Sequence, residues 1–314
     1  MDASVVIPNL NGAHLLEPCL LSLKEQTLPP AQVLVVDNGS TDGSVELVRE
    51  QFPAAQLVTF SENRGFAVAM NAGIAEASTD LVAFLNNDAV AEPRWLEELA
   101  ACLRRHSAAA AATSKLLSAS EPGRLDGAGD GLTRSFLPYV RGHGEPDDGR
   151  FGEEVEVFSA SGAAALWRGS VLRELGGFDE RFFAYYEDVD LSFRARLRGY
   201  EIWYAPRSVV RHARGATAGQ HVDFALFHPV KNRWFMIVKD APTRTVARRL
   251  PAIAAGDAFF WGRMVRRRAP GALLRAYREV IRRWPELRGD RRKIQGVCTI
   301  SSRRLDALLG KSER

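Results

Sequence analysis

The chain has 314 residues, 46% of them hydrophobic and 25% charged, with a formal net charge of +4 at pH 7. These values are typical of a folded globular protein with one large or two smaller domains, and they exclude a disordered or fibrous chain. Three widely separated cysteines, Cys19, Cys102 and Cys298, fit neither a disulfide framework nor a zinc site, so a reducing compartment is expected.

The first ninety residues alternate strand-type and helix-type segments. Four apolar runs are predicted strands: SVVIP (4–8), VLVVD (33–37), QLVTF (56–60) and LVAFL (81–85). Helices are predicted at 14–26 and after Thr41 or Asp42. This alternation predicts an α/β fold with a mostly parallel sheet covered on both faces. Because no basic segment followed by an apolar stretch precedes the first strand, we expect no signal peptide.

Each predicted strand ends in polar residues. The four segments are PNLNG (8–12), DNGSTDGS (37–44), SENRG (61–65) and NND (86–88). Ligands of parallel sheets bind at the carboxyl ends of the strands, so these segments are expected to line one crevice. A simple turn is the alternative for NND, because Asn and Asp favour turns. It is the joint occurrence of the four segments that favours a binding site.

Two of these segments carry side chains suited to a nucleotide. Asp37 ends the second strand, where its carboxylate can accept from a base N–H or a ribose hydroxyl. Asn63 and Arg64 precede a helix opened by glycine, which suits an anion or a base edge.

The middle of the chain is less periodic. Residues 118–154 are rich in Gly, Asp and Arg, and we expect mobile loops there, with edge strands around LTRSFLPYV (132–140). A helix is predicted from about residue 187 to 198, ended by Gly199 and followed by the strand EIWYAP (201–206).

The last part of the chain is basic and predicted to be helical. Residues 241–314 contain 19 Lys/Arg against 6 Asp/Glu, whereas the remainder contains 23 against 32. One helix is expected to place five residues on one face: Leu273, Tyr277, Val280, Ile281 and Trp284. The arginines of this tail have three interpretations: a solvated or oligomeric face, a nucleic-acid-binding surface, or a surface that binds an anionic membrane. Arg-rich amphipathic helices with Trp and Tyr favour the membrane surface, and nucleic acid is not expected.

Six segments together resemble the inverting family 2 glycosyltransferases of GT-A fold, in particular bacterial rhamnosyltransferases of cell-surface polysaccharide synthesis. They are VVIPNLNG, VVDNGSTDGS, NRGFAVAMNAGI, FLNNDAV, GGFDERFFAYYEDVDLSFRARLRGY and VVRHARGAT. The resemblance covers residues 4–217 and extends only loosely to the basic tail. It implies a Rossmann-like sheet flanked by helices. We expect a nucleotide-sugar-binding half (1–115), an acceptor-binding and catalytic half (116–230) and a basic helical tail (231–314).

The resemblance also implies the donor and metal sites. The donor-binding residues it implies are Pro8, Asn9, Asn11, Asp37, Asn63, Arg64, Asn71, Asn86 and Asn87. In the family, a D-x-D-type motif holds a divalent metal, Mg or Mn, on the donor diphosphate. NND stands in that place, so Asp88 is the implied ligand, Asn86 replaces the first aspartate and His212 matches a histidine near the metal. One carboxylate plus substrate phosphates can hold such a cation, but its affinity without nucleotide is expected to be poor. A structural histidine is the alternative for His212.

The segment YYEDVD carries the implied catalytic base, Asp188, with Glu187 beside it. In inverting transfer one base takes the proton of the acceptor hydroxyl while the diphosphate leaves from the opposite face of the sugar. The alternative is that both acids only favour the start of a helix, and the two interpretations are compatible.

The implied activity is metal-assisted transfer, with inversion, from a nucleotide-diphosphate sugar to a hydroxyl of a lipid-linked or polysaccharide acceptor. The favoured donor is dTDP-rhamnose, with a UDP-sugar as the other option. The expected location is cytoplasmic, peripheral on the inner face of the cell membrane. Whether the protein forms a homo-oligomer is left open at this point.

Two other functions remain possible. A sugar nucleotidyltransferase would need a basic residue in a glycine-rich loop after the first strand, where PNLNGAHLLEP has none. A catalytically inactive nucleotide-sugar-binding protein of the same fold is permitted by NND, but YYEDVDLSFR argues against it.

Overall fold

The first third of the chain alternates strand and helix, as predicted. The structure is a computed structural model and describes residues 2–215, 222–267 and 270–310, so Ala216 and Thr217 of the VVRHARGAT segment lie outside it. The elements are β1 (Ala3–Asn9), α1 (Ala13–Lys24), β2 (Gln32–Asp37), α2 (Ser44–Gln51), β3 (Gln56–Thr59), α3 (Phe66–Glu76), β4 (Leu81–Leu85), β5 (Ala89–Ala91) and α4 (Trp95–Arg105).

The second third mixes short strands with two helices. Its elements are β6 (Ala109–Ser118), β7 (Leu125–Gly127), β8 (Asp130–Leu132), β9 (Pro138–Val140), β10 (Val155–Glu156), β11 (Ala164–Arg168), α5 (Gly169–Leu175), α6 (Glu187–Leu197) and β12 (Glu201–His212). The edge strands expected near residues 132–140 form the β8–β9 hairpin. Strand β7, in the segment expected to be loops, pairs with β6, and all three of its residues are buried there.

Ten strands form one sheet in the order β10–β12–β6–β11–β4–β1–β2–β3, with β5 beside β12 and β7 beside β6. Strands β1, β2, β3, β4, β6 and β12 run in the same direction, because β11 is antiparallel to both β4 and β6. The prediction of a mostly parallel sheet is therefore confirmed. The register sets Asn9 opposite Asp37 and His212 opposite Ala89, so polar ends of distant strands meet at one edge.

Both faces of the sheet are covered, which explains the continuous apolar strands. Val5 and Val35 face one core, formed with α1, α2 and α4. Val6 and Val36 face the other, formed with α3, α5 and α6. Successive residues of a strand point to opposite faces, so a strand buried on both sides has no polar alternation.

The C-terminal part is helical, as predicted: α7 (Val222–Lys239), α8 (Thr243–Arg266), α9 (Pro270–Arg282), α10 (Trp284–Gly296) and α11 (Ser302–Leu308). These helices share a third apolar core with α6, in which Phe193 meets side chains such as Phe235 and Leu287. The domain boundary expected at residue 230 falls inside α7, whose Asn232 and Arg233 are fully buried.

The face expected for α9 is partly wrong. Leu273 and Val280 are buried, but Ile281 is 71% exposed and Trp284 is 43% exposed. Ile281 lies about 100° around the helix from Val280, and Trp284 begins the next helix rather than continuing this one. Along the described parts of the chain, no helix is long and apolar enough to cross a membrane.

Candidate active site

A cleft of about 580 Å³ opens at the carboxyl ends of the parallel strands. Nine of the thirteen residues predicted for the site line it: Pro8, Asn9, Asn63, Asn86, Asn87, Asp88, Glu187, Asp188 and His212. The first and the last of them, Pro8 and His212, are more than 200 residues apart in the chain, so the fold brings distant segments together in this cleft.

Asp37 and Asn11 lie behind this lining and join two loops. The Asp37 carboxylate is buried and accepts from Asn9 Nδ2 at 3.0 Å and from the Ser40 backbone N–H at 2.9 Å. Asn11 Oδ1 accepts from the Thr41 backbone N–H at 2.8 Å. Both residues therefore fix the loop after β1 against the loop after β2.

Asn71 and Arg64 also lie outside the lining. The Asn71 side chain forms two hydrogen bonds with the backbone of Phe178. Its Nδ2 donates to the carbonyl oxygen at 2.9 Å and its Oδ1 accepts from the N–H at 2.8 Å, so this side chain connects α3 to the loop before α6. Arg64 is exposed, with its guanidinium 4.9 Å from the centre of the Phe60 ring.

The NND turn is held from two sides. Asn87 Nδ2 donates to Asn9 Oδ1 at 2.7 Å, and the Asn86 backbone N–H donates to the Ala163 carbonyl at 2.9 Å. Gly12 allows this approach, because a Cβ there would lie 2.3 Å from Asn87 Nδ2. Asn86 and Asn87 thus place Asp88 at the floor of the cleft.

Asp88 faces His212 across the cleft floor. Asp88 Oδ1 and His212 Nε2 lie 3.2 Å apart, and both atoms are buried. Within the described residues, neither they nor the buried Asn86 Oδ1 form a hydrogen bond of good geometry. Buried polar atoms without partners are costly unless a ligand satisfies them. One carboxylate oxygen, one imidazole nitrogen and one amide oxygen are donors that a divalent cation accepts.

Asp126 holds the other side of the His212 ring. Its Oδ2 lies 2.7 Å from His212 Nδ1, while its Oδ1 accepts from Arg214 at 2.7 Å. Burial disfavours the imidazolium, but Asp126 and Asp88 outweigh it and raise the pKa of His212 to about 9. A carboxylate on the far nitrogen of a histidine orients the ring and is typical of metal-binding histidines.

Among the acidic and basic residues that line the cleft, three were not predicted from the sequence: Asp126, Asp130 and Arg214. Burial, together with the charge of Asp188, raises the pKa of Asp130 to about 8. The two acids stand four residues apart in LDGAGD, and this spacing of acids among glycines was the available signal. This signal was not used because residues 118–154 were expected to form mobile loops.

Asp188 lies on the opposite wall, in the first turn of α6. Its Oδ2 accepts from the Gly162 backbone N–H at 2.9 Å and its Oδ1 from the Val189 backbone N–H at 2.8 Å. Burial raises the pKa of Asp188, although these two N–H groups oppose the shift. Burial and the charge of Asp188 raise the pKa of Glu187 to about 8. Tyr186 occupies the N-cap position of α6, so neither acid caps the helix in the usual way.

A strained turn leads into α6 and is held by two helices. Phe183, Tyr185 and Tyr186 have φ values of 66°, 67° and 70°, which non-glycine residues rarely adopt. Asn232 of α7 places its Nδ2 at 2.6–2.9 Å from three carbonyl oxygens of this turn, those of Phe182, Ala184 and Tyr185. The N-terminal half contributes the Phe66 backbone N–H, 2.7 Å from the Phe183 carbonyl. The position of Asp188 therefore depends on both halves of the chain and on α7.

Fold and site define an α/β protein with a polar cleft at the carboxyl ends of its parallel strands, and comparisons with known proteins identify the family. The sequence model described as Glycosyl transferase family 2 matches residues 4–169, more than half of the chain. A second, Glycosyl transferase family group 2, matches residues 149–275. The chain belongs to glycosyltransferase family 2.

Curated relatives of this chain include glycosyltransferases. It is 30% identical over 236 residues to the N-acetylglucosaminyl-diphospho-decaprenol L-rhamnosyltransferase of Mycobacterium tuberculosis, covering 67% of this chain and 75% of the relative. It is also 30% identical over 223 residues to the pre-mycofactocin glycosyltransferase of the same species, covering 67% of this chain and 42% of that relative. The predicted likeness to rhamnosyltransferases is confirmed.

Solved structures confirm the GT-A fold. The mannosyltransferase PcManGT from Pyrobaculum calidifontis, in complex with GDP-Man and Mn2+, aligns with a TM-score of 0.56 at 22% identity over 90% of this chain and 74% of its own. GalNAc-T7 with UDP, GalNAc and Mn2+ aligns with a TM-score of 0.60 at 16% identity over 81% of this chain and 51% of its own.

Proposed function

We propose that this protein is an inverting, metal-assisted glycosyltransferase that moves a sugar from a nucleotide diphosphate to a hydroxyl group. The observation that carries the proposal is the pairing of two features in one cleft. On the floor, the buried atoms Asp88 Oδ1 and His212 Nε2 lie 3.2 Å apart without a hydrogen bond of good geometry, and the backbone-oriented Asp188 lies on the wall. One short loop links them, because Ala163 binds the Asn86 turn and Gly162 binds Asp188.

The donor would lie along the carboxyl ends of β1, β2 and β4. Pro8, Asn9 and Asn63 line this end of the cleft, where amide groups can bind the base or the ribose. Asp37 and Asn11 would act by fixing the two loops, and Asn71 by fixing α3. Arg64 is exposed at the rim, where it is available to an anionic group.

The divalent cation, Mg or Mn, would be held by Asp88 and His212, with the Asn86 amide oxygen as a weaker donor. When bound, such a cation neutralises negative charge on a leaving diphosphate. The assignment is supported by buried oxygen and nitrogen atoms of these three residues that form no hydrogen bond of good geometry among the described residues, and two structural neighbours were solved with Mn2+.

Asp188 would act as the base. The acceptor hydroxyl oxygen forms a bond to the anomeric carbon, its proton passes to the Asp188 carboxylate, and the bond between that carbon and the diphosphate oxygen breaks. The Gly162 and Val189 N–H groups hold the carboxylate in place. Its raised pKa brings the base closer to neutral pH, where proton transfer is most effective.

The substrates we propose follow from the relatives. A rhamnosyltransferase acting on a diphospho-decaprenol compound is 30% identical to this chain, so dTDP-rhamnose is the favoured donor and a lipid-linked glycan the favoured acceptor. A UDP-sugar and a polysaccharide acceptor are the second choices.

A donor screen tests this function. The protein should bind and slowly hydrolyse one nucleotide-diphosphate sugar among dTDP-, UDP- and GDP-sugars, with dTDP-rhamnose giving the tightest Mn2+-dependent titration. Release of diphosphate from dTTP and a sugar phosphate would instead indicate a nucleotidyltransferase. Binding without any turnover, with acceptor present, would indicate an inactive binding protein.

We also propose peripheral association with the inner face of the cell membrane. Large apolar side chains are exposed on α8 and α9 among arginines. They are Phe259, Trp261, Val265, Leu274 and Ile281, each at least 43% exposed. Exposed aromatic and aliphatic groups beside basic residues are suited to an anionic lipid interface.

The double variant Trp261→Ser/Val265→Ser is expected to reduce binding to phosphatidylglycerol vesicles. Two apolar side chains that would be buried in the lipid interface are lost, which corresponds to a decrease of roughly tenfold or more in vesicle affinity. Vesicle sedimentation measures the effect, and Leu250→Ser/Val297→Ser removes two other exposed apolar groups as a matched control. Equal loss in both variants, or no binding by the unmodified protein, would contradict the membrane proposal.

A further inference from the structure

A second cavity, of about 550 Å³, lies between α7 and α9 and is lined by aromatic rings and arginines. Phe224, Phe227 and His228 of α7 form one side. Arg275, Arg278 and Arg282 of α9, with Glu279, form the other. We refer to these seven residues as the α7–α9 groove.

The groove carries excess positive charge. Arg282 is bound to Glu279, with bonds of 2.8 and 2.6 Å, and Arg283 also reaches this carboxylate at 3.1 Å. The single acid of the groove is thus already shared by two arginines. Arg278 is exposed and forms no ion pair with the described residues. An anion entering the groove therefore meets the Arg278 guanidinium, which Glu279 does not neutralise.

Aromatic rings connect the groove to the active-site cleft. Phe224 lines both cavities. Its ring lies 6.0 Å from that of Phe183, in the strained turn before α6, and 4.4 Å from that of His228. A molecule lying over Phe224 would thus extend from the arginines to the turn that positions Asp188.

His228 adds a polar but uncharged group to this wall. Burial, together with the charge of Lys231, lowers the pKa of His228 to about 4, so the ring is neutral at pH 7. Its Nδ1 is buried and, among the described residues, has no hydrogen-bond partner. Aromatic rings, a neutral imidazole and cationic guanidinium groups together suit a ligand that is both apolar and anionic.

We propose that the α7–α9 groove binds the phosphate-bearing lipid portion of the acceptor. Arg275 and Arg278 would bind phosphate oxygens and the rings of Phe224 and Phe227 would contact the apolar chain, while the acceptor sugar lies in the cleft beside Asp188. The inference rests on the proposed function and names the acceptor class, a lipid phosphate or diphosphate. A phospholipid headgroup shares this chemistry and is distinguished by the experiment.

Farnesyl diphosphate is a suitable probe, titrated into the full-length protein with EDTA present so that no cation-dependent donor site contributes. The variant Arg275→Gln/Arg278→Gln should weaken binding about tenfold or more, since two charge-assisted contacts are lost. The control Arg288→Gln/Arg292→Gln removes the same charge from exposed positions on α10 and should stay within about twofold. Inorganic diphosphate and farnesol should each bind more weakly than farnesyl diphosphate. Unchanged melting temperatures verify that both variants fold.

Equal affinity of the groove variant and the control, or no binding of farnesyl diphosphate to the unmodified protein, would overturn the proposal. Competition by dispersed short-chain phosphatidylglycerol at the same concentration as farnesyl diphosphate would assign the groove to a membrane headgroup instead, which also overturns it. Because no donor sugar is present, these outcomes are independent of the donor screen. A failed screen with successful groove binding would reject the transferase function alone.

Discussion

Replacement of Asp188 by Asn is expected to abolish most sugar transfer while leaving the donor bound. An Asn side chain has nearly the same shape and can still accept the Gly162 N–H through its amide oxygen, but it cannot take a proton. Loss of a general base typically costs about 10²–10⁴-fold in rate. We therefore expect kcat to fall by that order and the donor dissociation constant, measured calorimetrically, to change by less than about threefold.

Glu187→Gln is the matched control for this prediction. It changes the neighbouring acid in the same helical turn, and because the raised pKa of Glu187, about 8, keeps it largely protonated at pH 7, a neutral amide there should reduce kcat far less. Retained turnover in Asp188→Asn would remove Asp188 as the base. Equal losses in both variants would indicate a structural role for the turn.

The same assignment sets the pH dependence of the unmodified enzyme. The base must be ionised to act, and burial raises the pKa of Asp188 above the usual aspartate range. The acid limb of the kcat/KM profile should therefore lie at higher pH than an exposed aspartate would give. If this acid limb is absent from the pH profile of the residual activity of Asp188→Asn, the assignment of Asp188 as the base is supported.

Replacement of Asp88 by Asn is expected to remove the metal dependence of donor binding. Asp88 is the only predicted metal ligand that carries a fixed negative charge, because the place of the first aspartate is taken by Asn86. With the carboxylate gone, only the His212 and Asn86 side chains and the nucleotide phosphates remain, so Mn2+-dependent affinity for the donor should fall by about 100-fold or more. The measurement is a calorimetric titration of the donor nucleotide with Mn2+ and with EDTA.

Two further variants sharpen this result. His212→Ala should weaken the Mn2+-dependent titration, and Asp126→Asn, which acts through the His212 ring, should weaken it by about 10- to 100-fold. Asp80→Asn, at an exposed position after α3, is the control and should leave the titration unchanged. If His212→Ala and Asp126→Asn also leave it unchanged, His212 is a structural residue bonded to two acids.

The strand ends were the most predictive part of the sequence. Apolar runs buried on both faces have a recognisable pattern, and the polar residues after them must lie at the carboxyl edge of the sheet. The turn at 86–88 was correctly placed in the cleft for this reason. Asp37 and Asn71 were placed near the site but their side chains proved to bond neighbouring loops, because spacing along a strand does not show which polar groups are already satisfied.

The residues missed by sequence reasoning share one property: their partners are far away in the chain. Asp126 is recognisable as part of the site only beside His212, 86 residues later. Asn232 lies in the segment interpreted as the start of a basic tail, yet it binds the turn before Asp188, about 50 residues earlier. Asn232 has no local pattern that distinguishes it from an ordinary surface residue, and the spacing of acids among glycines around Asp126 does not by itself show which side chain they contact.

The sequence by itself determined the α/β fold, the family and the segments that form the cleft, because burial on both faces, turn residues and motif spacing are local properties. Only the tertiary structure decided which side chains face the cleft and which hold its loops, and that burial raises the pKa of both Glu187 and Asp188. It also decided that α7 is packed into the domain and bonds the turn before α6, within the segment expected to be a basic tail. These properties depend on burial and on contacts between distant segments, and such contacts exist only after the chain has folded.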